Sequence, residues 1–186
     1  NAGSELKYPE KFPAGLREVY LSGEAYFEVS PDSSAPFKVH TTDMELKVLG
    51  TSFNIQAYEN EKLTTTLITG KIAQYYPSLQ QEIVLMPSSQ SVYDAGRLTT
   101  GQADIREALA WKEGKIIARN QRLEDILHQL SRWYEFEAVY IRPELKDIRF
   151  HLHSDRYENI RMILDNLQAT NGIQVRYEGK KIYISQ

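Results

Sequence analysis

The 186-residue chain carries 25 acidic and 22 basic side chains, for a formal net charge of -3 and a pI near 5.9. This balance offers no basic field for nucleic acid, and without cysteine the chain can form no disulfide, thiolate metal site or cysteine nucleophile. With 41% hydrophobic residues the chain can bury a real core, and we expect two domains.

The start of the chain carries no targeting signal. No stretch reaches the roughly 20 apolar residues of a membrane helix, and the first residues lack the basic and apolar pattern of a signal peptide. The chain begins at Asn1 without an initiator methionine. We therefore expect a piece of a longer protein whose targeting or membrane segment lies upstream.

Residues 1–103 are predicted to form an all-β sandwich-like or coiled-sheet domain. Short alternating apolar runs are separated by glycine and proline corners, and no helical period occurs among them. The run from Val19 to Leu21 and the run from Ala25 to Val29 flank Gly23, which predicts a β-hairpin with its corner there. Further strands are predicted at 37–39, 46–48, 53–57, 64–68 and 83–98, with changes of direction at Gly50 and Gly70.

Two carboxylates of this half lie four residues apart, at Glu24 and Glu28. Glycosidases use two carboxylates across the bond that they cleave, so an enzyme is one hypothesis. On a strand both side chains lie opposite the apolar run from Ala25 to Val29, so alternation predicts that both face solvent. A solvated polar face is the better interpretation, and the glycosidase is the poorest of the alternatives.

Aromatic side chains of the same half could line a sugar-binding groove, because aromatic faces stack on sugars. The candidates are Tyr20, Tyr26, Tyr58, Tyr75, Tyr76 and Tyr93, together with the polar side chain of Asn54. Tyrosine is equally common on half-buried strands. A carbohydrate-binding surface module with an aromatic-lined groove therefore remains the alternative function.

Residues 104–112 predict a short helical linker, and residues 113–186 predict a small α+β domain of doubled βαβ type, in the order β-α-β-β-α-β-β. The first apolar helical stripe is Leu123, Ile126, Leu127, Leu130, Trp133 and Tyr134, and the second is Tyr157, Ile160, Ile163, Leu164 and Leu167. The two units match at an offset of 37 residues, which indicates an internal repeat. Both helices are expected on one face of a small sheet.

A metal site is conceivable at His151 and His153, which alternate onto one face of a predicted strand close to Asp155. A site needs a third placed ligand, and the other histidines are His40 in the first domain and His128 on the first predicted helix. No phosphate-cradling glycine loop, nucleophile elbow or helical histidine pair occurs. We therefore predict no catalytic, cofactor-binding or metal-binding residues, and no enzyme.

Several segments form a specific pattern when they are taken in order and spacing. They are Asn1-Ala-Gly-Ser-x-Leu-x-Tyr-Pro9, Arg17-Glu-Val-x-Leu21, Gly23-Glu-Ala-Tyr-Phe-Glu-Val29, Pro36-Phe37, Val48-Leu-Gly-Thr-x-Phe-Asn54, Leu67 with Gly70, and Leu85-x-Pro87. This series closely resembles the FecR-like anti-sigma regulators. The second half, from Trp111 through Asn120-x-x-Leu-x-x-Ile126 and Leu130-x-x-x-Tyr134 to the final hairpin, resembles their usual C-terminal domain, which is related to the short N-terminal domain of secretins and TonB-dependent receptors.

The resemblance implies the periplasmic portion of a single-pass inner-membrane protein. A cytoplasmic segment absent from this chain would hold an extracytoplasmic-function sigma factor. The signalling domain of a TonB-dependent outer-membrane transporter would be the periplasmic partner. The family usually carries a strand of the Pro-Asp-Gly-x-x-Val-x-Leu type before the Asn-Ala-Gly segment, so we expect the β domain to lack its first strand.

Partner binding is expected in the second half, because an extended segment can add a strand to an exposed sheet edge. The C-terminal strand is predicted to be such an edge, and the end of the first helix supplies aromatic anchors. The predicted partner-binding residues are Trp133, Tyr134, Lys181, Ile182, Tyr183 and Ile184. The 104–112 linker is expected to act as a hinge or rigid coupler.

Overall fold

The computed structural model describes the backbone of residues 1–186 and every side chain except that of Asn171. The protein is mostly β, with 48% of its residues in strands and 22% in helices. It divides into unit 1 (Asn1–Leu109) and unit 2 (Ala110–Gln186), each with its own hydrophobic core. The division falls inside the segment 104–112 that was predicted as a linker.

Unit 1 is a curled sheet of ten strands, with a 3₁₀ helix (Pro77–Leu79) between the seventh and eighth strands and one short α-helix at its end. The elements are β1 (Glu5–Lys7), β2 (Arg17–Val29), β3 (Phe37–His40), β4 (Glu45–Val48), β5 (Thr51–Ala57), β6 (Leu63–Thr69), β7 (Ile72–Tyr76), β8 (Gln81–Leu85), β9 (Ser89–Asp94), β10 (Arg97–Gln102) and α1 (Ile105–Leu109). The strand order is β10-β9-β6-β5-β2-β3-β4-β7-β8, and β1 pairs with β2. Direction changes at Gly50, between β4 and β5, and at Gly70, between β6 and β7, as predicted.

Strand β2 joins the two halves of the curled sheet. Its first part pairs with β1 and β3, and from Gly23 onward it pairs with β5. Gly23 has a φ of +99°, which a glycine adopts at no steric cost, so the strand bends there without ending. The predicted hairpin at Gly23 is therefore wrong. Local alternation on both sides of a glycine does not distinguish a bend from a turn, because both need the same residue.

The interior of the curl is a close-packed apolar core. The largest fully buried apolar side chains are Phe53, Met44, Leu46, Ile55, Leu67, Ile72 and Leu85. They come from both halves of the sheet and from the loop before β4. The coiled-sheet form of the predicted β domain is the one that the chain adopts.

A polar cluster crosses this core. Gln74 Nε2 on β7 donates to Thr65 Oγ1 on β6 at 2.8 Å and to Met44 Sδ at 2.8 Å, while Ser91 Oγ on β9 donates to Gln74 Oε1 at 2.8 Å. The Tyr76 hydroxyl lies 3.2 Å from Ser91 Oγ, and burial raises the pKa of Tyr76. Because β7 lies in one half of the sheet and β6 and β9 in the other, the cluster ties the two halves together.

Unit 2 contains two α-helices, two short 3₁₀ helices (Ala110–Glu113 and Pro143–Asp147) and five strands in two small sheets. The elements are β11 (Lys115–Arg122), α2 (Leu123–Tyr134), β12 (Glu137–Tyr140), β13 (Arg149–Asp155), α3 (Ile160–Asn171), β14 (Gln174–Glu178) and β15 (Lys181–Ser185). Strands β11 and β13 pair with each other, and the second sheet has the order β12-β15-β14. None of the described helices is long and apolar enough to cross a membrane.

The element order in unit 2 is the predicted one, but the strands pair differently. In a doubled βαβ, the strands before and after each helix belong to one small sheet. Here the strand before α2 pairs with β13, while the strand after it pairs in parallel with β15. Two sheets replace the predicted single sheet, since pairing is decided by contacts between segments that are distant in the sequence.

Strand β15 is the centre of its sheet. It pairs in parallel with β12 and in antiparallel with β14, and Ile182 and Ile184 are buried in the core. The prediction that Lys181, Ile182, Tyr183 and Ile184 form an exposed edge is therefore wrong. The tight turn at Gly179 inserts the C-terminal strand between two others, so the end of the chain is not the edge of the sheet.

Two tyrosine hydroxyls of unit 2, on Tyr140 and Tyr177, are buried without a hydrogen-bond partner among the described residues. We predict that Tyr140→Phe raises the free energy of unfolding by about 1 kcal/mol, because it removes an unsatisfied hydroxyl. Burial raises the pKa of Tyr140 above the ordinary value. Above about pH 10 the unfolded tyrosine ionises while the folded one stays neutral, so stability falls as pH rises and should fall less in the variant.

Urea unfolding of the whole chain at about pH 8 and about pH 10.5, which lie below and above the ordinary tyrosine pKa, measures both effects. Tyr134→Phe is the matched control. Its hydroxyl donates to the carbonyl oxygens of Arg156 at 2.8 Å and Glu158 at 2.9 Å, so its loss should destabilise unit 2. Equal destabilisation by Tyr140→Phe would show that its hydroxyl is satisfied.

Candidate functional site

A groove of about 510 Å³ lies in unit 2 where the end of α2, the start of α3 and the β14–β15 turn meet. Helix α2 ends at Tyr134 and is capped by Glu135, whose left-handed backbone turns the chain and whose N–H donates to the Ser131 carbonyl at 2.8 Å. The next strand is held to the turn because the Glu137 N–H donates to the Lys180 carbonyl at 2.8 Å. These contacts bring side chains from three separate segments to one place.

The wall of the groove is aromatic and is fixed by its own contacts. Trp133, Tyr134, Phe136 and Tyr177 are all half-buried. The Arg156 guanidinium lies 4.9 Å from the centroid of the Trp133 ring, and the Tyr134 hydroxyl is bound to backbone carbonyls. Burial raises the pKa of Tyr134, and the nearby carboxylate of Glu158 contributes to this. The rings therefore hold their positions without a ligand.

Two cations flank this wall. Arg161, in the first turn of α3, is exposed and lies over the Tyr177 ring at 5.1 Å from its centroid. Lys180 Nζ is 3.2 Å from Glu135 Oε2, and both side chains are 79% exposed, so this ion pair holds Lys180 only weakly. Both cations are therefore accessible to a binding partner.

The charges of the two units differ in sign. Unit 1 has 9 basic and 14 acidic side chains, for a net charge of -5, whereas unit 2 has 13 basic and 11 acidic ones, for a net charge of +2. The groove thus lies on the more basic unit. An acidic partner is favoured there over a basic one.

Three of the predicted partner-binding residues line the groove: Trp133, Tyr134 and Ile182. The other three lie elsewhere. Lys181 Nζ is 3.4 Å from Glu137 Oε2, the Tyr183 ring lies under Arg176, and Ile184 is buried. Several other lining residues are not among those predicted: Phe136, Ile160, Arg161, Tyr177 and Lys180. Ile160 is on the predicted apolar stripe of the second helix, and the local signal of the other four is a place next to a predicted helix end or turn.

In unit 1, the two glutamates of the glycosidase hypothesis have different surroundings. Glu28 is exposed as predicted, but Glu24 is only 7% exposed, so the solvated position predicted for it is wrong. Its Oε1 accepts from Asn54 Nδ2 at 2.9 Å and its Oε2 from Asn1 Nδ2 at 2.6 Å. The cause is the segment 1–4, which covers this side of the strand; Glu24 N donates to Ser4 Oγ at 2.8 Å.

The tyrosines proposed to line a sugar groove are dispersed over unit 1. Tyr76 and Asn54 are buried and cannot contact a sugar, and Tyr58 donates to the Ala2 carbonyl at 2.8 Å. Tyr20 and Tyr75 remain exposed. The other two, Tyr26 and Tyr93, are half-buried.

The histidines lie apart from any metal-binding set. His151 and His153 are both exposed on β13. Among the described side chains, no three His, Cys, Asp or Glu residues form a group that could hold a metal ion.

Comparison with known proteins gives one consistent pattern. The family model described as FecR protein matches residues 1–73, and the model described as FecR, C-terminal matches residues 115–184, so together they match more than half of the chain. No curated protein matches it.

Two crystal structures are similar to the whole chain. Both are of a protein assigned as an anti-sigma factor from Parabacteroides distasonis, at 1.65 Å and 2.50 Å resolution. The first is 28% identical with a TM-score of 0.92, over all of this chain and 88% of that one. The second is 29% identical with a TM-score of 0.90, over all of this chain and 87% of that one.

Proposed function

This chain belongs to the FecR-like family of anti-sigma factors, and from that premise we propose that it is the periplasmic sensor region of a membrane-anchored regulator. The regulator controls an extracytoplasmic-function sigma factor through a cytoplasmic segment outside this chain. Its signal comes from the signalling domain of a TonB-dependent outer-membrane transporter. The chain acts by binding and not as an enzyme.

The aromatic groove of unit 2 is the observation that carries this proposal. A receiver that performs no chemistry can transmit a signal only through contacts that differ between its bound and unbound states. Trp133 and Tyr134 offer fixed aromatic surface, the kind of anchor that carries most of the energy of a protein interface. The flanking cations select a partner that presents carboxylates beside an apolar side chain.

We predict that Arg161→Glu weakens the binding of the transporter signalling domain by about tenfold to a hundredfold. The substitution places a carboxylate where the partner's own carboxylate binds. Isothermal titration calorimetry with the whole chain and the signalling domain encoded beside it measures the change. The loss should shrink as salt rises, since a rim charge is screened.

Arg176→Glu is the matched control, because Arg176 is also an exposed arginine over a tyrosine ring, 4.5 Å from the centroid of Tyr183. It lies on β14 and does not line the groove. Its effect on affinity should stay within about threefold. Equal losses in the two variants would exclude the groove as the docking site, and tight binding of a glycan without any binding of the transporter domain would overturn the proposed function.

A further inference from the structure

Unit 1 carries an exposed aromatic surface that the proposed function does not use. Tyr8 is 66% exposed and Tyr20 is 55% exposed, and they border one cavity of about 420 Å³ together with Pro13 and Leu16. A second cavity, of about 270 Å³, adjoins Tyr20. We call the surface formed by Lys7, Tyr8, Glu18 and Tyr20 the Tyr20 platform.

The ring of Tyr20 is held from one side. It stacks on His40 of the neighbouring strand with the ring centroids 4.9 Å apart and an interplanar angle of 22°. On the opposite edge of β2, Lys7 of β1 is the residue that pairs with Tyr20 in the strand register. A ligand therefore meets a tyrosine whose orientation is already fixed, which lowers the entropy cost of binding.

The charged side chains at the rim of the Tyr20 platform balance one another. Lys7 Nζ is 3.4 Å from Glu5 Oε1, and Lys38 Nζ is 3.3 Å from Glu18 Oε1. The two cations and the two carboxylates are equal in number, so no excess charge at the rim favours an ionic ligand. The same groups still provide hydrogen-bond donors and acceptors, and Ser22 and Thr42 add hydroxyl groups at the smaller cavity.

A neutral ligand with a flat apolar face and many hydroxyl groups matches this surface. Saccharide rings have this character, because their C–H faces stack on aromatic rings while their hydroxyls bind polar rims. We propose that the Tyr20 platform binds a neutral oligosaccharide, with one sugar ring against Tyr20 and Tyr8 in the larger cavity. A second ring occupies the smaller cavity, next to Ser22 and Thr42.

The test titrates the whole chain with maltohexaose, cellohexaose, xylohexaose and chitohexaose, read by calorimetry and by amide chemical-shift changes. We expect at least one to bind, and Tyr20→Ala to weaken that binding about tenfold or more. Tyr75→Ala, which removes another exposed tyrosine of the same sheet, should leave it unchanged. Tyr20→Trp keeps a stacking face and should retain binding, which separates lost stacking from a folding defect.

Three results would overturn the proposal: no binding of any hexasaccharide up to about 10 mM, binding that survives Tyr20→Ala, or preferential binding of decaproline, an extended apolar peptide. The proposal does not depend on the transporter-binding groove. Arg161→Glu should leave saccharide binding intact, and Tyr20→Ala should leave transporter binding intact, so the two ideas fail separately.

Discussion

Replacing Glu24 with alanine is expected to lower the free energy of unfolding of unit 1 by about 3 kcal/mol. The carboxylate is buried, and each of its oxygens accepts a hydrogen bond from a side-chain amide, of Asn54 and of Asn1. Hydrogen bonds to a charged group are worth about 1.5 to 3 kcal/mol each, and the truncation takes a charged acceptor from two donors. Chemical denaturation of the whole chain, followed by far-ultraviolet circular dichroism, measures the loss.

Glu28→Ala is the matched control, because Glu28 lies on the same strand and is exposed. It should change the free energy of unfolding by no more than about 0.5 kcal/mol. Glu24→Gln should lie between the two, since it keeps the shape but turns one acceptor into a donor. If Glu24→Ala were as mild as Glu28→Ala, the carboxylate would not be holding the segment 1–4.

The position of Glu24 also shows what alternation along a strand can establish. The pattern correctly places the apolar run around it in the core, and it correctly predicts an exposed Glu28. It cannot report what covers the other face. That face is solvent at Glu28 but is the segment 1–4 at Glu24, and this segment is placed by contacts such as Tyr58 to Ala2, across 56 positions of sequence.

Local sequence patterns also fail to predict strand bends and sheet edges, because both depend on pairing with distant segments of the chain. Gly50 and Gly70 were predicted as changes of direction because strands end on both sides of them. Gly23 carries the same local signal, yet its strand continues because β5 is available to pair with the second part. The central position of β15 likewise depends on β12, some 40 residues away along the chain, which no local pattern specifies.

The candidate groove was predictable in part. Trp133 and Tyr134 were identified because they end a helical stripe, and they line the groove. Arg161 and Lys180 were missed, because a lone basic residue at a helix start or in a turn carries no signal of its own. Lys180 meets the aromatic wall only when the β14–β15 turn is hydrogen-bonded to the start of β12, and Arg161 meets it through Tyr177 of β14.

The largest loss of stability is expected from Gln74→Ala, at about 4 kcal/mol. The side chain is fully buried at the centre of the polar cluster, where it donates to Thr65 and accepts from Ser91. Truncation leaves both hydroxyls without this partner and opens a cavity between the two halves of the sheet. Denaturant unfolding and the temperature midpoint of the whole chain measure the effect.

Gln81→Ala removes the same side chain at an exposed position of the edge strand β8 and should cost no more than about 0.5 kcal/mol. Gln74→Leu separates the two causes, because it fills most of the space but supplies no polar group. If the polar cluster specifies how the halves of the sheet meet, Gln74→Leu should still cost about 2 kcal/mol, since Thr65 and Ser91 stay buried beside an apolar side chain. If Gln74→Leu were as stable as the original chain, apolar packing alone would determine how the two halves of the sheet meet.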